Sequence, residues 1–318
     1  MLSDPAMRKY FAGWALFGIA LLLLPYVATT GTLRIFIFAN FIAIFAMSWD
    51  ILSGRTGYIS FGHPFLIGIA AYTSAMLTYH LQTPLYFSIP LGIIATMVGG
   101  TLFFLPALRI RGTYFALVTL AFMELMYQLT QVLRPDITGG TRGLSGLPTI
   151  LTGALPNYYL SSAVMFVIAI CLWLLIRTRL GTALSAISMD EDAVKSSGLD
   201  TTKLKLFAFM VSAFVAGVGG TLYVHYLGSI APRAIFDINF LFTILIAALL
   251  GGASTIIGPI MGAFFLTFLL EYLRPYIPGT ERYFIYGSIA LIVYVLEPKG
   301  LHHIIQRLYG AVMRGGKA

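Results

Sequence analysis

The sequence predicts an all-α fold, a polytopic bundle of about ten transmembrane helices that forms a single domain over residues 1–318. The chain is 58% hydrophobic and only 10% charged, whereas soluble domains are about 45–50% apolar. Apolar runs recur along the chain, and their lengths are close to the roughly 20 residues that a helix needs to cross a bilayer. A membrane β-barrel would instead show short segments of alternating polarity.

The apolar runs define ten candidate spans. They cover approximately residues 11–28, 35–52, 59–79, 85–105, 112–133, 160–177, 204–227, 238–250, 258–275 and 283–297. The first lacks a clear cleavage site, so we interpret it as an uncleaved helix. Gly62 and Pro64 interrupt the third span, and the eighth is short unless it continues to Gly258. Each of these two spans is a candidate for a broken or re-entrant helix.

The basic residues predict the orientation of the chain. With both termini in the cytoplasm, 14 of the 20 Lys and Arg residues lie on the cytoplasmic side and 6 outside, as the positive-inside rule requires. The net charge of +8 therefore indicates topology and not nucleic-acid binding. This layout places residues 178–203 in the cytoplasm. It places the glycine-rich segment 137–148 outside, as a solute-contacting loop or simply a flexible one.

A weak internal sequence similarity suggests a repeat. The set Gly57, Ser60, Gly68 recurs at the same spacing as Gly251, Ser254, Gly262. Transporters are often built from repeats whose broken helices meet at the substrate path, although small residues also pack membrane helices closely. The ten-span layout puts both sets on the cytoplasmic side, which an inverted repeat would not allow. The repeat and the layout therefore conflict.

Glu124 is the most unusual ionisable residue, because it falls near the middle of the fifth span. Thr113 and Gln128 lie on the same helical face. A carboxyl group in hydrocarbon costs several kcal/mol unless it is paired, protonated or hydrated. The face predicts either a polar lining for a solute path or an interhelical hydrogen bond. Two other groups have simpler explanations: Asp50 as a local ion pair with Arg55, and His225 as an interfacial residue.

The sequence offers no recognisable catalytic or metal-binding constellation. Its one cysteine, Cys171, excludes an intrachain disulfide and a site built from several cysteines. None of its lysines follows the glycine pattern of a phosphate-binding P-loop. We therefore expect a non-catalytic chain without a cofactor of its own.

The stretch 177–205 contrasts with the rest of the chain, because it carries five Lys/Arg and four Asp/Glu residues. Leu180, Leu184 and Ile187 give it a sparse apolar helical face. Gly198 would follow a short helix, where glycine often takes positive φ. An amphipathic, charge-dense loop between membrane spans predicts a surface on which another protein docks.

Five segments in this order and spacing resemble one family. Residues 57–77, 109–124, 138–148, 179–209 and 249–265 are similar to the M-type membrane subunit of the branched-chain amino acid ABC importers. The resemblance implies a multi-pass protein of the bacterial inner membrane. Two permease subunits would form the path, and two ATPase subunits would bind ATP and Mg and power it. A periplasmic binding protein would deliver Leu, Ile or Val.

The resemblance also assigns candidate residues. The ATPase-docking motif carries over onto Glu191, Asp192, Ala193 and Gly198, where Asp192 stands in place of a common alanine. By analogy with sugar-type relatives, Ser60, Gly62 and His63 join Thr113, Glu124 and Gln128 as candidates for the substrate path. Two alternatives remain open. One is a permease for urea, short amides or aromatic acids, and the other is an ion-driven secondary transporter.

Overall fold

The computed structural model describes residues 5–107, 110, 112–132, 134–277, 281–297, 300, 301 and 303. These ranges are mainly helical, as predicted. The elements are α1 (Pro5–Leu23), α2 (Thr30–Trp49), α3 (His63–His80), α4 (Leu85–Ala107), α5 (Thr113–Val132), α6 (Pro135–Thr138), β1 (Leu144–Ser145), α7 (Ala154–Ile176), α8 (Arg179–Met189), α9 (Glu191–Ser196), α10 (Thr201–Leu227), β2 (Ser229–Ile230), α11 (Pro232–Ile235), α12 (Ile238–Gly251), α13 (Ile257–Leu273) and α14 (Glu281–Leu296). The chain termini, predicted to be cytoplasmic, lie outside the described residues.

Six helical segments within the described ranges are long and apolar enough to cross a membrane. They cover residues 30–54, 85–107, 113–132, 154–176, 201–227 and 232–251. The other predicted spans coincide with α1, α3, α13 and α14, which are shorter or less apolar. The helical, polytopic fold is therefore confirmed, and the count of ten spans stays a prediction.

Helix α2 lies at the centre of the bundle. Its residues 39–49, and the π-helical turn Asp50–Gly54 as far as residue 53, are all buried. A helix that is apolar on every side is typical of such a position. Helices α7, α10, α12 and α13 pack around α2, and α3 and α4 pack against α10. Helix α5 lies at the edge of this arrangement, with much of its surface exposed.

Loop contacts distinguish two ends of the bundle. At the ribbon end, β1 and β2 pair antiparallel, with Leu144 opposite Ile230. His225 fastens this end, because its Nδ1 donates to the Pro148 carbonyl at 2.9 Å and its Nε2 lies 2.8 Å from Ser74 Oγ. His225 lies in the last turn of α10, at the helix end where the sequence places it, and its side chain is fully buried within the protein. The ribbon and this bond also fasten part of the glycine-rich segment.

At the opposite end, which we call the docking end, both predicted breaks are present. Helix α3 begins at His63, after a non-helical stretch. Helix α12 ends at Gly251 and does not continue to Gly258. Arg55 donates to the Ser254 carbonyl, which brings the two breaks together. Both therefore lie at one end, which agrees with the ten-span layout and disfavours an inverted repeat.

The turn after α12 has a strained backbone, and a residue that is distant in sequence stabilises it. Ser254 and Ile256 have φ of +66° and +63°, a region that residues other than glycine rarely adopt. Asp50 Oδ1 accepts a hydrogen bond from Ser254 N at 2.6 Å. Asp50 thus holds a turn 204 residues away, a role that a local ion pair with Arg55 does not describe.

Candidate functional site

Residues 178–203, which we call the docking hairpin, fold as two short helices because each start has a polar cap. Thr178 Oγ1 accepts from Gly181 N at the start of α8. Asp190 Oδ1 accepts from Asp192 N and Ala193 N, at 2.9 and 3.0 Å, at the start of α9. Such caps satisfy backbone donors that a helix cannot pair internally. Gly198 follows α9 with φ of +87°, which glycine adopts without strain.

The hairpin turns its apolar face toward its own bundle. Leu184, Ile187 and Val194 are buried, whereas Leu180 is largely exposed. Most of the predicted apolar face is therefore covered within this chain. The opposite face presents polar and small side chains, together with Met189, which is 88% exposed.

Glu191 points into the protein, unlike the other three predicted docking residues. Its Oε1 lies 3.1 Å from Lys205 Nζ and accepts from Thr201 Oγ1 at 3.0 Å. Its Oε2 accepts from the Tyr58 hydroxyl at 2.5 Å. Lys205 Nζ donates to the same hydroxyl at 2.9 Å, which closes a triangle of three side chains. Lys195 also lies 3.3 Å from Glu191 Oε1.

This environment keeps Glu191 ionised. Burial raises the pKa of the carboxyl group, but hydrogen bonds from Tyr58 and Lys205, and the charge of Lys205, outweigh it and lower the pKa to about 2. A depressed pKa contributes stability above the ordinary value of 4.5 that is lost as the pH falls toward 2. The interaction is therefore complete at neutral pH and at pH 6.

Asp192, Ala193 and Gly198, the other predicted docking residues, are exposed on the hairpin surface. Like Met189, they are accessible to a partner. Their docking role stays a prediction. The structure divides the predicted motif into three exposed positions and one inward-facing carboxylate.

The predicted path residues fall into two groups. Ser60, Gly62 and His63 are buried between α2, α5 and α10. Trp49 Nε1 donates to the Ser60 carbonyl at 2.8 Å, and His63 Nε2 lies 3.1 Å from Ser212 Oγ. Neighbouring protein groups bond this segment and connect it to the helices around it, and its role in the substrate path stays a prediction.

The second group lies on the outer face of α5. Thr113, Glu124 and Gln128 are all exposed, and Glu124 is the twelfth residue of this 20-residue helix. Gln128 Nε2 donates to Glu124 Oε1 at 2.8 Å. The structure thus places the three side chains on one face, as their spacing predicts, but on the outside of this chain. It does not bring them together with Ser60, Gly62 and His63.

Sequence reasoning missed the residues that hold the docking hairpin in place. Tyr58 and Lys205 bond Glu191, and Arg55 NH1 donates to Ser185 Oγ of α8 at 3.0 Å. One signal was available: Lys205 stands just inside the apolar run of α10, where a lysine needs a partner. The sequence could not show that Lys205 bonds both Glu191, 14 residues away, and Tyr58, 147 residues away, because both contacts depend on tertiary packing.

The residues that the structure describes contain no group of three or more His, Cys, Asp or Glu side chains placed to hold a metal ion. The polar features are instead the docking hairpin and the α5 face. Several helices able to cross a bilayer, with a capped hairpin at one end, define an integral membrane protein of the helical type.

The family follows from sequence comparison. A family model described as the branched-chain amino acid transport system / permease component matches residues 31–296. The chain therefore belongs to this family of ABC-importer permeases. No solved structure matches the chain significantly.

Individual relatives agree with this family. The chain is 28% identical to the high-affinity branched-chain amino acid transport system permease proteins LivM of Salmonella typhimurium and of Escherichia coli. Each alignment covers 93% of this chain and 77% of the relative. It is 26% identical to the autoinducer 2 import system permease protein LsrC of an Enterobacter strain, over 93% of this chain and 88% of the relative.

Proposed function

We propose that this chain is one of two permease subunits of an importer that moves branched-chain amino acids across the bacterial inner membrane. Two ATPase subunits bind ATP and Mg, and one of them docks on the docking hairpin of this chain. A periplasmic binding protein delivers Leu, Ile or Val. The observation that carries the proposal is the docking hairpin itself, a capped and anchored pair of helices at one end of a membrane bundle in a chain of this family.

The outer face of α5 supports the second permease subunit. Glu124 and Gln128 lie on the exposed surface of a helix that is otherwise suited to hydrocarbon. A charged side chain near the middle of a bilayer costs about 3 kcal/mol on insertion scales. We therefore propose that this face borders a hydrated path, with the second permease subunit completing the wall.

The substrate class rests on similarity to the LivM proteins. The LsrC relative is an import permease for a different solute, so family membership alone does not choose the cargo. Glu124 favours an amino acid over urea or a neutral amide, because a carboxylate attracts an ammonium group.

Reconstitution tests the proposed function. The purified complex of this chain, a second permease and two ATPases is placed in liposomes and supplied with the binding protein. Leu, Ile and Val should each stimulate ATP hydrolysis and uptake, whereas urea, a short amide and an aromatic acid should not. The chain purified alone should not hydrolyse ATP. Uptake that follows a proton or sodium gradient without ATP would instead establish a secondary transporter.

Single-cysteine labelling tests the orientation. Cysteine replaces Ser188 or Ser145 in a Cys171→Ser background, because both serines are exposed at opposite ends of the bundle. An impermeant maleimide should label Ser145→Cys in intact spheroplasts, and Ser188→Cys only after permeabilisation. The reverse pattern would show that the topology is inverted.

A further inference from the structure

We propose that Glu191, Lys205 and Tyr58 form a rigid joint that carries movement of the docking hairpin into the membrane helices. The inference rests on the proposed function of the hairpin and assigns these residues a positioning role. In this view Glu191 does not contact the ATPase. Instead, Glu191 anchors the part of the hairpin surface that contacts the ATPase.

The geometry of the triangle supports a joint. The Glu191 side chain is 10% exposed and that of Lys205 is 4% exposed. Both carboxylate oxygens of Glu191 accept hydrogen bonds from groups of this chain. A partner protein would therefore have to displace bonds already made in order to reach the carboxylate. Charge-assisted hydrogen bonds of this kind are among the strongest in proteins.

The triangle connects three elements of the chain, of which the Tyr58 stretch is 133 residues from Glu191. Glu191 belongs to α9, Lys205 to the first turns of α10, and Tyr58 to the stretch before α3. Lys205 Nζ also lies 4.4 Å from the centre of the Tyr58 ring. Breaking a buried ion pair leaves an uncompensated charge, so the hairpin would move together with α10 and the Tyr58 stretch.

The connections continue toward the proposed path. Three residues beyond Tyr58, Phe61 N donates to Thr119 Oγ1 of α5 at 2.9 Å. On α10, Ser212 lies two turns beyond Lys205, and its hydroxyl donates to the Ser48 carbonyl at 2.7 Å. One joint therefore reaches α5, which carries Glu124, and the central helix α2.

The test uses the complete importer in liposomes. The variants are Glu191→Gln, Glu191→Lys, Lys205→Met, Tyr58→Phe and the exchanged pair Glu191→Lys/Lys205→Glu. Glu271→Gln is the matched control, because Glu271 is an acidic residue that forms an exposed ion pair with Arg274 at the end of α13, outside the docking hairpin. The measurements are copurification of the ATPase subunits, ATP hydrolysed per solute imported, and hydrogen exchange of α9 and residues 57–62.

We expect the Gln and Met variants to retain the ATPases but to consume at least about tenfold more ATP per solute imported. Exchange should rise in α9 and in residues 57–62 together. Tyr58→Phe, which removes only a hydroxyl group, should show a smaller effect with the fold intact. The exchanged pair should recover most of the coupling that Glu191→Lys alone loses. Glu271→Gln should retain coupling.

A direct contact between Glu191 and the ATPase would give a different pattern. Glu191→Gln would then lose the ATPases, Lys205→Met would not, and the exchanged pair would recover nothing. Wild-type coupling in all of the variants would also overturn the joint. Failure of the proposed function itself is distinguishable, because the wild-type chain would then not copurify with ATPase subunits at all.

Discussion

Glu124→Ala is expected to reduce solute uptake by the assembled importer about tenfold or more while leaving assembly intact. Glu124 lies on the outer face of α5, so removing its side chain creates no cavity in a packed core. Hydrogen bonds to charged groups contribute about 1.5–3 kcal/mol, and 1.4 kcal/mol corresponds to a factor of ten. Uptake per assembled complex, measured in liposomes together with copurification, checks the expectation.

Two variants sharpen this test. Glu124→Gln retains the size of the side chain and its capacity to accept a hydrogen bond, so it isolates the effect of the charge. Leu125→Ala is the matched control, because Leu125 is the adjacent exposed residue of the same helix. Should Glu124→Ala fail to assemble while its few complete complexes transport normally, Glu124 is structural and the α5 face does not border the path.

Gly262→Ala is expected to destabilise the fold, because α12 and α13 touch through their backbones at this position. A methyl group at residue 262 would overlap the carbonyl oxygen of Ala247 and approach Gly251 N to 2.8 Å. Neither backbone atom can move without separating the helices. Overpacking of this kind costs about 1–3 kcal/mol, so the melting temperature in detergent should fall by several degrees.

Gly99→Ala provides the control for that measurement. Gly99 is also helical, and an added methyl group would lie 3.7 Å from Ile69, an ordinary contact distance. Alanine is moreover the better helix former, so this variant should melt at or above the wild-type temperature. Equal melting temperatures for the two variants would contradict the close approach of α12 and α13.

The sequence was a good guide to where helices lie, because apolar runs record burial in lipid or protein. The predicted span 112–133 differs by one residue at each end from α5, Thr113–Val132. The predicted helix starts were less accurate where a polar capping residue sets the first residue of the helix. Helix α2 begins at Thr30, capped by Thr29, and α10 begins at Thr201, capped by Asp200.

The candidate site was predictable only in its position along the chain. Charge density located the docking hairpin, but a helical face cannot say which side of it meets the bundle. The inward turn of Glu191 depends on Tyr58, 133 residues away. Likewise, the spacing of Glu124 and Gln128 identified a polar stripe, whereas its place on the outside of the chain depends on how α5 packs. Both orientations depend on tertiary contacts that the sequence does not show.

The pairing of β1 with β2 has a mechanical consequence. It closes the chain between Leu144 and Ile230 into a frame, with α7 and α10 as its two legs and the docking hairpin as the crossbar at the far end. Both legs rest on α2, and an apolar groove of about 560 Å³ lies between them. A displacement of the docking hairpin would rotate α7 and α10 together about the ribbon, which acts as a hinge. Displacement would then be largest near the crossbar and smallest at the ribbon.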